Sequence, residues 1–298
     1  MIVKVAVFYY SQSGQALDVA KSICGLLTGS VVYKQIIPIQ QYPFPWDKDD
    51  FFGVFPETRL GIPPSGIRQM DLSDIEDADI VMVVGQSWFL SPSLPIQSFF
   101  ADTQIRSYLK GKNVVFVNAC RNMWLMTSRT IKRYLKDVQA NMVGHIVLQD
   151  KAPNLVSALT VVRWLMFGKK EASWLLPDSG VSDTDISEAS RFGKILEDSW
   201  QKGDLAHLQK ELLSAGAIDY QPSVLFLEQT GHRMFGFWAK FIRRKGGFGD
   251  TRRRFRTNMF FYYLLFVLFL VSPFAQLFFY LTYPLHRVGY HKQLDCNL

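Results

Sequence analysis

The sequence predicts an α/β fold built on a doubly wound parallel sheet, with additional helices and a C-terminal transmembrane segment. Short apolar runs rich in β-branched residues recur along the first half of the chain and are typical of strands buried on both faces. Segments with helical periodicity separate these runs, which indicates crossover connections between parallel strands. Near the C-terminus, a charge-free run exceeds the roughly 20 residues that are needed to cross a bilayer.

The first three strands are expected at residues 2–10, 31–39 and 79–85. Helices are predicted at residues 16–27 and 94–100, where apolar residues recur with a helical period. Between the second and third strands, residues 40–70 are rich in proline, glycine and aromatic residues and show no clean period. This segment is longer than most connections, so we expect a functional insertion packed by its own aromatic side chains.

The fourth and fifth strands are expected at residues 113–119 and 142–148, with a helix at 128–138 between them. Residues 155–167 are unusually apolar but too short to span a bilayer. They are predicted to form a buried helix, an interfacial helix or the wall of an apolar pocket. Two further helices, each with an acidic start, are expected at 183–200 and 204–213.

From His232 onward the composition becomes strongly basic. The cations of this segment are Arg233, Lys240, Arg243, Arg244, Lys245, Arg252, Arg253, Arg254 and Arg256. Residues 259–283 then carry no charge and have tyrosines near both ends, as membrane-spanning helices do. Pro273 leaves open a kink or a hairpin that returns to the same side. The basic flank places the globular part in the cytoplasm and can hold anionic headgroups, so nucleic acid is the weaker explanation of the net charge of +7.

These features divide the chain into a globular domain (1–231), a basic juxtamembrane segment (232–258), a transmembrane segment (259–283) and a short tail (284–298). The three cysteines form no CxxC pair, which argues against a disulfide framework and fits a reducing compartment. The five histidines show no metal-ligand spacing, so we expect no metal site. The N-terminus lacks a basic head and a cleavage site, so we expect no signal peptide.

The loop after the first strand is the strongest candidate for a ligand site. Its residues are Ser11, Gln12, Ser13, Gly14, Gln15 and Ala16. In a doubly wound sheet, ligands bind at the carboxyl ends of the strands, where the strand order reverses. Backbone N–H groups at the start of the following helix, together with the serine hydroxyls, can hold a phosphate without Lys or Arg, and Gly14 lets the backbone come close. The loop matches neither the Walker motif nor the GxGxxG dinucleotide motif.

Two further loops are expected at the same edge of the sheet. The loop after the third strand contains Gln86, Ser87, Trp88 and Phe89, and the loop after the fourth contains Ala119, Cys120, Arg121, Asn122 and Trp124. An aromatic side chain beside a phosphate site can stack on a flat ring. The alternatives are that Trp88 and Trp124 belong to the core and that Arg121 is a surface charge.

The first loop resembles the phosphate loop of flavodoxins and their quinone reductase relatives. The second and third loops match the two isoalloxazine loops of that family in position, and the resemblance covers about residues 1–148. It implies a flavodoxin-like, five-stranded sheet of order 2-1-3-4-5. It also implies flavin mononucleotide (FMN) as the cofactor, bound by the residues of the three loops.

Several stretches resemble, more narrowly, the dialkylresorcinol-biosynthesis flavodoxin-like family, often labelled a condensing enzyme. These stretches are residues 42–46, 51–57, 88–94, 120–124 and 162–166. The resemblance implies FMN-dependent oxidation of a 2,5-dialkylcyclohexane-1,3-dione to a dialkylresorcinol, after a ketosynthase partner has joined two acyl-derived chains. Condensation by this chain is disfavoured, because Cys120 has no evident histidine partner. The sequence does not identify the catalytic base.

Three other functions stay open: an FMN-dependent quinone reductase, a membrane-tethered electron carrier and a flavin-free scaffold. A homodimer is also open. The basic charge disfavours the carrier, because electron-carrier flavodoxins tend to be acidic.

A hydrophobic dialkyl substrate would collect in the bilayer, since each methylene favours an apolar phase by roughly 0.8 kcal/mol. We therefore expect residues 42–55 and 155–167 to flank the flavin edge as an apolar access route from the membrane; alternatively, each covers an edge of the sheet.

Overall fold

The protein is described by a computed structural model that covers the backbone of residues 2–295 and the side chains of residues 2–283. Its strands are β1 (Lys4–Tyr9), β2 (Ser30–Gln35), β3 (Ile80–Trp88), β4 (Ser91–Pro92), β5 (Asn113–Cys120) and β6 (Asn141–Gln149). Five of them form a parallel sheet in the order β2-β1-β3-β5-β6, and the short β4 pairs antiparallel with the end of β3. This is the strand order of the flavodoxin-like fold, so the predicted fold class is confirmed.

Helices cover both faces of the sheet because successive side chains of a buried strand point to opposite faces. One face packs against α1 (Gln15–Cys24), α9 (Ser190–Gln201) and α10 (Leu208–Ser214). The other packs against α4 (Leu94–Ala101), α5 (Thr103–Leu109) and α6 (Leu125–Asp137). The backbones of α1 and α9 touch at Gly193, where an added Cβ would lie 1.8 Å from the carbonyl oxygen of Ile23. A glycine is therefore required at this helix crossing.

The insertion between β2 and β3 contains two helices that the sequence analysis missed, α2 (Lys48–Gly53) and α3 (Phe55–Leu60). They are too short to show a clear period. Asp47 begins α2 by accepting a hydrogen bond from the N–H of Asp50 at 2.7 Å, and Gly61, with φ of 72°, ends α3. The aromatic packing expected within the insertion is present: the ring of Trp46 lies in the core, with its centroid 6.1 Å from that of Tyr42 and 5.8 Å from that of Phe51.

The helices after β6 differ from expectation in two places. The apolar segment forms α7 (Asn154–Phe167), and the predicted helix at 183–200 is divided into α8 (Asp183–Glu188) and α9. A long helix, α11 (Pro222–Arg243), follows α10 and was not predicted. The predicted boundary at 231/232 falls inside α11, and the division of the chain into domains stays a prediction.

The C-terminal apolar segment forms one long helix that consists of α12 (Arg254–Phe266), a π-helical turn (Val267–Val271) and α13 (Ser272–Asp295). A 3-10 turn (Thr251–Arg253) precedes it, and the stretch Thr251–Tyr283, of 33 residues, is long and apolar enough to cross a membrane. The helix continues through Pro273, so a hairpin at that residue is wrong for the described part of the chain. The π-helical turn directly before Pro273 relieves the clash that the proline ring makes with the preceding turn. The predicted tail, 284–298, lies outside the residues whose side chains are described.

The long apolar helix is docked against the globular domain. It runs antiparallel to α11: Phe260 lies near Phe235 and Phe279 near Phe226, with ring centroids 5.3 and 5.8 Å apart. Phe260 also stacks on Phe55 of α3, with centroids 3.8 Å apart and an interplanar angle of 6°.

A buried ion pair lies beside this stack. Both guanidinium NH groups of Arg253 donate to the Glu57 carboxylate at 2.8 Å, and both residues are buried. One of these groups also donates to the carbonyl oxygen of Gly53. Arginine and carboxylate form such bidentate pairs with a fixed geometry, so the base of the apolar helix is held rigidly on α3.

Candidate functional site

The loop between β1 and α1 presents hydrogen-bond donors at the carboxyl edge of the sheet. The N–H of Leu17 donates to Ser11 Oγ at 3.3 Å and to the carbonyl oxygen of Gly14 at 2.9 Å, and the N–H of Asp18 donates to the same carbonyl at 3.2 Å. Within the described part of the chain, the preceding N–H groups, of Gln15 and Ala16, have no acceptor. Unpaired N–H groups at a helix N-terminus are an anion-binding arrangement.

Gly14 holds this loop in a conformation that other residues avoid. Its φ of 93° and ψ of −37° lie outside the regions allowed to residues with a side chain. An added Cβ would meet no heavy atom within 4 Å, so the constraint comes from the backbone and not from crowding.

The two glutamines of the loop bind neighbouring segments with their side chains. Gln12 Nε2 donates to the carbonyl oxygen of Pro43 at 2.8 Å, and Gln15 Nε2 donates to that of Val181 at 2.9 Å. Gln15 Oε1 in turn accepts from the N–H of Val181 at 3.2 Å. These side chains therefore hold the insertion and the segment after α7 against the loop, and what Gln15 offers a ligand is its backbone N–H.

The second predicted loop is a β-hairpin. Gln86, Ser87 and Trp88 lie on β3, and a tight turn at Phe89 and Leu90, with φ of 47° and 59°, leads into β4. The prediction of a longer loop here is wrong, because the apolar run of the strand ends at Gly85 while the backbone pairing continues to Trp88. The Ser87 hydroxyl is half-buried and donates to Thr127 Oγ1 at 2.8 Å.

The three aromatic residues expected around a flavin ring point in different directions. Trp88 lies 6.0 Å from Tyr10, which begins the first loop, and 5.3 Å from Tyr42, between ring centroids. Phe89 instead packs on Phe51 and Phe55 of the insertion, at 4.8 and 5.1 Å.

Trp124 is buried beside Leu225, with its ring 5.6 Å from that of His145. Trp88 is thus the aromatic residue placed next to the first loop. The assignment of Phe89 and Trp124 to the cofactor stays a prediction that their packing does not favour.

The third loop leads from β5 into α6 and contacts the start of α7. Arg121 donates from NH1 to the carbonyl oxygen of Asn154 at 3.1 Å, and Asn122 Nδ2 donates to Asn154 Oδ1 at 3.1 Å. Arg121 is therefore a bridge to the start of α7 and not a free surface charge. Ala119 and Cys120 end β5 in the interior, and burial raises the pKa of the Cys120 thiol. A raised pKa lowers the thiolate fraction, and the thiolate is the nucleophile, which agrees with the argument against condensation.

A cavity of about 320 Å³ opens beside this loop, at the carboxyl ends of β5 and β6. It is lined by Asn122 and Trp124, by residues 149–155, by the start of α11 and by Gln276 of α13. Within the described residues, no group of three or more His, Cys, Asp or Glu side chains could hold a metal ion.

Glu228 of α11 is buried at the wall of this cavity. Its carboxylate accepts hydrogen bonds from the N–H groups of Leu125 and Met126, at 3.2 and 2.7 Å, at the start of α6. Burial raises the pKa of this carboxyl to about 7. Glu228 was not among the predicted site residues, although the sequence carries one signal: it is the only acidic residue between Asp219 and Asp250.

The donors of the first loop fit the phosphate end of FMN. Two N–H groups without an acceptor lie at the start of α1, next to Ser11 and Ser13, and no heavy atom lies within 4 Å of the position that a Cβ would take on Gly14. No Lys or Arg is required for such a site. Trp88 supplies an aromatic side chain on the same edge.

No family model and no curated protein matches the chain. Among solved structures, a flavoprotein from Lactobacillus acidophilus NCFM in complex with FMN is 18% identical at a TM-score of 0.41; the match covers 49% of this chain and 93% of that one. A flavodoxin from the domain Archaea is 14% identical at a TM-score of 0.37; the match covers 67% of this chain and 99% of that one. The flavodoxin of Megasphaera elsdenii is 16% identical at a TM-score of 0.34; the match covers 50% of this chain and 88% of that one. The fold assignment rests on the strand order described above.

Proposed function

We propose that this chain is a membrane-bound, FMN-dependent oxidoreductase that aromatises a 2,5-dialkylcyclohexane-1,3-dione to a dialkylresorcinol. The observation that supports the redox part is the start of α1, where N–H groups without an acceptor lie next to two serines at the reversal of strand order, an arrangement that suits a phosphate. The substrate part draws on the sequence resemblance and on the apolar surfaces around the site. A ketosynthase that builds the ring is the partner we propose.

The reaction removes one hydride and one proton from the ring. FMN, when bound, supplies the two-electron acceptor, while the chain supplies binding, orientation and a proton acceptor. Ser11, Ser13 and the N–H groups of Gln15 and Ala16 would hold the phosphate. Trp88, fixed between Tyr10 and Tyr42, would limit where the ring system lies.

An enzyme is favoured over an electron carrier because two segments with apolar side chains are packed together beside the first loop. The N–H of Trp46 donates to the carbonyl oxygen of Leu165 at 2.7 Å, and the rings of Phe44 and Trp164 lie 6.2 Å apart. The insertion and α7 are thus packed on each other next to the first loop, whose Gln12 side chain binds the insertion at Pro43. A carrier must offer its flavin edge to large protein partners, whereas apolar segments beside the site suit a small apolar substrate.

Membrane attachment is supported by exposed apolar surface on two helices. Most of the large side chains of the long apolar helix are exposed. On α7, the buried residues are Ser157, Ala158 and Thr160, whereas Leu159 and Val162 are 42% and 47% exposed. Trp174, just after α7, is 94% exposed. The buried-helix interpretation of α7 is therefore wrong, and the exposed residues suit an interfacial helix.

Basic residues surround an open pocket at the base of the long apolar helix. The pocket is lined by Arg243, Arg244, Lys245, Gly246, Gly247 and Arg252. Cations at the end of a membrane helix attract the anionic lipids of the cytoplasmic leaflet. We therefore propose that the globular domain is cytoplasmic and that this pocket faces the headgroups.

The test measures the flavin absorbance of the purified full-length protein and a single turnover of the dione by that protein. We expect bound FMN, and we expect anaerobic addition of a 2,5-dialkylcyclohexane-1,3-dione to bleach the flavin and to yield one resorcinol per flavin. A protein purified without flavin would exclude the proposal. Bleaching by electron donors alone, with no reaction of the dione, would favour the carrier or the quinone reductase.

Replacing Leu159 and Val162 together with serine tests the access route along α7. Both side chains are exposed, so the fold and the flavin content should persist, while turnover of long-chain diones falls several-fold relative to short-chain ones. Each methylene that leaves water contributes roughly 0.8 kcal/mol, which makes the loss depend on chain length. An equal loss for both chain lengths would contradict the route and favour α7 as a simple cover of the sheet edge.

Shortening the chain tests the anchor. A variant that ends at Phe266 keeps Arg253 and Phe260, and with them the contacts to α3, but removes most of the apolar span. We expect high salt to release it from membranes without detergent. A variant that ends at Lys245 removes both contacts and should be unstable as well as soluble. A full-length protein that is already soluble without detergent would contradict membrane attachment.

A further inference from the structure

We propose that the cavity beside the third loop binds a ring compound that carries a weakly acidic hydroxyl on an apolar body, and that the Glu228 carboxylate accepts a hydrogen bond from that hydroxyl. The inference rests on the proposed function, whose substrate it places next to the predicted cofactor site. It assigns a role to a cavity and to a buried carboxyl that the phosphate site does not use.

Glu228 is positioned to accept a further donor. Its two oxygens each accept one backbone N–H, from Leu125 and Met126, and a carboxylate has about four acceptor positions. Val224 lies one helical turn earlier on α11, and both residues line the cavity. The carboxylate is thus held at the cavity wall with acceptor capacity to spare.

The lining selects the class of ligand. Asn122 lines the cavity, and its Oδ1 is a buried acceptor without a partner in the described part of the chain. Because the wall presents hydrogen-bond acceptors, it suits a ligand that donates a hydrogen bond, such as a phenol or the enol of a 1,3-dione. Trp124, Leu155 and Leu225 provide apolar walls for the rest of the ring. A volume of about 320 Å³ is enough for one substituted ring.

The cavity is bordered by both apolar helices. Leu155 lies in the first turn of α7, and Gln276 lies in α13; both line the cavity. Gln276 is the only amide side chain in the charge-free run 259–283. A polar side chain at the cavity within an otherwise apolar helix is typical of a ligand path and not of a lipid-facing position. A ligand with an alkyl chain can therefore be bound with its ring inside and its chain along these helices.

Several charged and titratable groups face this region. They are Arg121 of the third loop, Arg129 of α6, Asp150 and Lys151 after β6, Cys120 of β5 and Asp219 before α11. Asp150 already accepts from the Ser157 hydroxyl at 2.7 Å and from the N–H of Ala152 at 2.9 Å, and Lys151 is paired with Asp185. Because burial raises the pKa of Glu228 to about 7, the carboxylate form increases as the pH rises through that value. Binding of a neutral hydroxyl is then expected to tighten over the same range.

The experiment measures binding of 5-pentylresorcinol and of its dimethyl ether, which lacks both O–H donors, to the detergent-solubilised full-length protein by calorimetry. We expect the wild-type protein to prefer the resorcinol and to bind it more tightly as the pH rises from 6 to 8. The Glu228→Gln variant should bind the resorcinol at least about tenfold more weakly and lose the pH dependence, since a hydrogen bond to a charged group is replaced by one to a neutral amide. Glu188→Gln, on the surface of α8, is the matched control.

A second variant separates ligand binding from folding. Val224→Phe fills the cavity without removing the hydrogen bonds to α6, so it should weaken binding of both compounds. Unchanged binding by Glu228→Gln and Val224→Phe, or equal wild-type affinity for the resorcinol and its ether, would overturn the inference. Flavin content is measured separately. Binding that depends on Glu228 in a protein without flavin would refute the proposed function and leave this inference intact.

Discussion

Replacing Arg253 with methionine is expected to lower the free energy of unfolding by about 3–5 kcal/mol. Glu57 would then be a buried carboxylate without the bidentate partner that donates to it at 2.8 Å. Arg243, whose NH1 lies 3.6 Å from Glu57 Oε1, compensates part of this loss and places the effect at the lower end of the range. Denaturant unfolding followed by tryptophan fluorescence, in a fixed detergent, measures the difference.

Arg252→Met is the matched control for this variant. Arg252 also pairs with an acid, Asp250, but its side chain is 77% exposed, and exposed pairs contribute about 0–1 kcal/mol. A double variant, Glu57→Gln with Arg253→Met, should recover part of the stability because no buried charge remains. Equal effects of the Arg252 and Arg253 variants would show that the apolar helix is not fixed by the Glu57 pair.

Replacing Gly14 with valine is expected to abolish FMN binding. A β-branched residue strongly disfavours φ of 93° with ψ of −37°, so the loop must change its path, and the N–H groups of Gln15 and Ala16 would lose their common direction. Since an added Cβ meets no atom within 4 Å, the loss would come from the backbone and not from a collision in the core. The ratio of flavin absorbance to protein after purification is the measurement.

Gly203→Val provides the control for backbone strain. Gly203 has φ of 70° and equally open surroundings, but it lies after α9, outside the three loops at the carboxyl edge of the sheet. Both variants should lose some stability, whereas flavin is lost in the Gly14 variant alone. Full retention of flavin by Gly14→Val would remove the first loop from the phosphate site.

The sheet could be predicted because each of its strands can be recognised from a short stretch of consecutive residues. Each strand is a short apolar run, and each is followed by a segment of helical period, so alternation alone indicates the parallel sheet. The first loop is equally local, since Ser11 to Ala16 are consecutive. Prediction failed where elements are short or lack a clear start, as in α2 and α3, and where backbone pairing continues past the apolar run, as from Gly85 to Trp88.

The cavity could not be read from the sequence in the same way. Asn122, Glu228 and Gln276 lie on three different elements, and only the packing of α11 against α6 and α13 brings them together. A lone acid in a helix is more often a surface residue than a cavity wall. Glu228 is buried because α11 packs against the start of α6, and the periodicity of the sequence does not reveal this tertiary contact.

The docking of α12 on α3 determines how the protein would be oriented in a bilayer. A helix joined to its domain by a flexible linker allows the domain to tumble above the membrane. Here Phe260 stacks on Phe55, Arg253 is paired with Glu57, and Phe279 packs on Phe226 of α11. The apolar helix therefore lies along the domain as one body with it, and in this docked form it would meet the bilayer through its exposed face. In a bilayer-bound molecule the angle between the sheet and the membrane normal would be constant, and the mouth of the cavity would lie at one depth. Diffusion of a lipid-like substrate toward that mouth would then be a two-dimensional search at a fixed height.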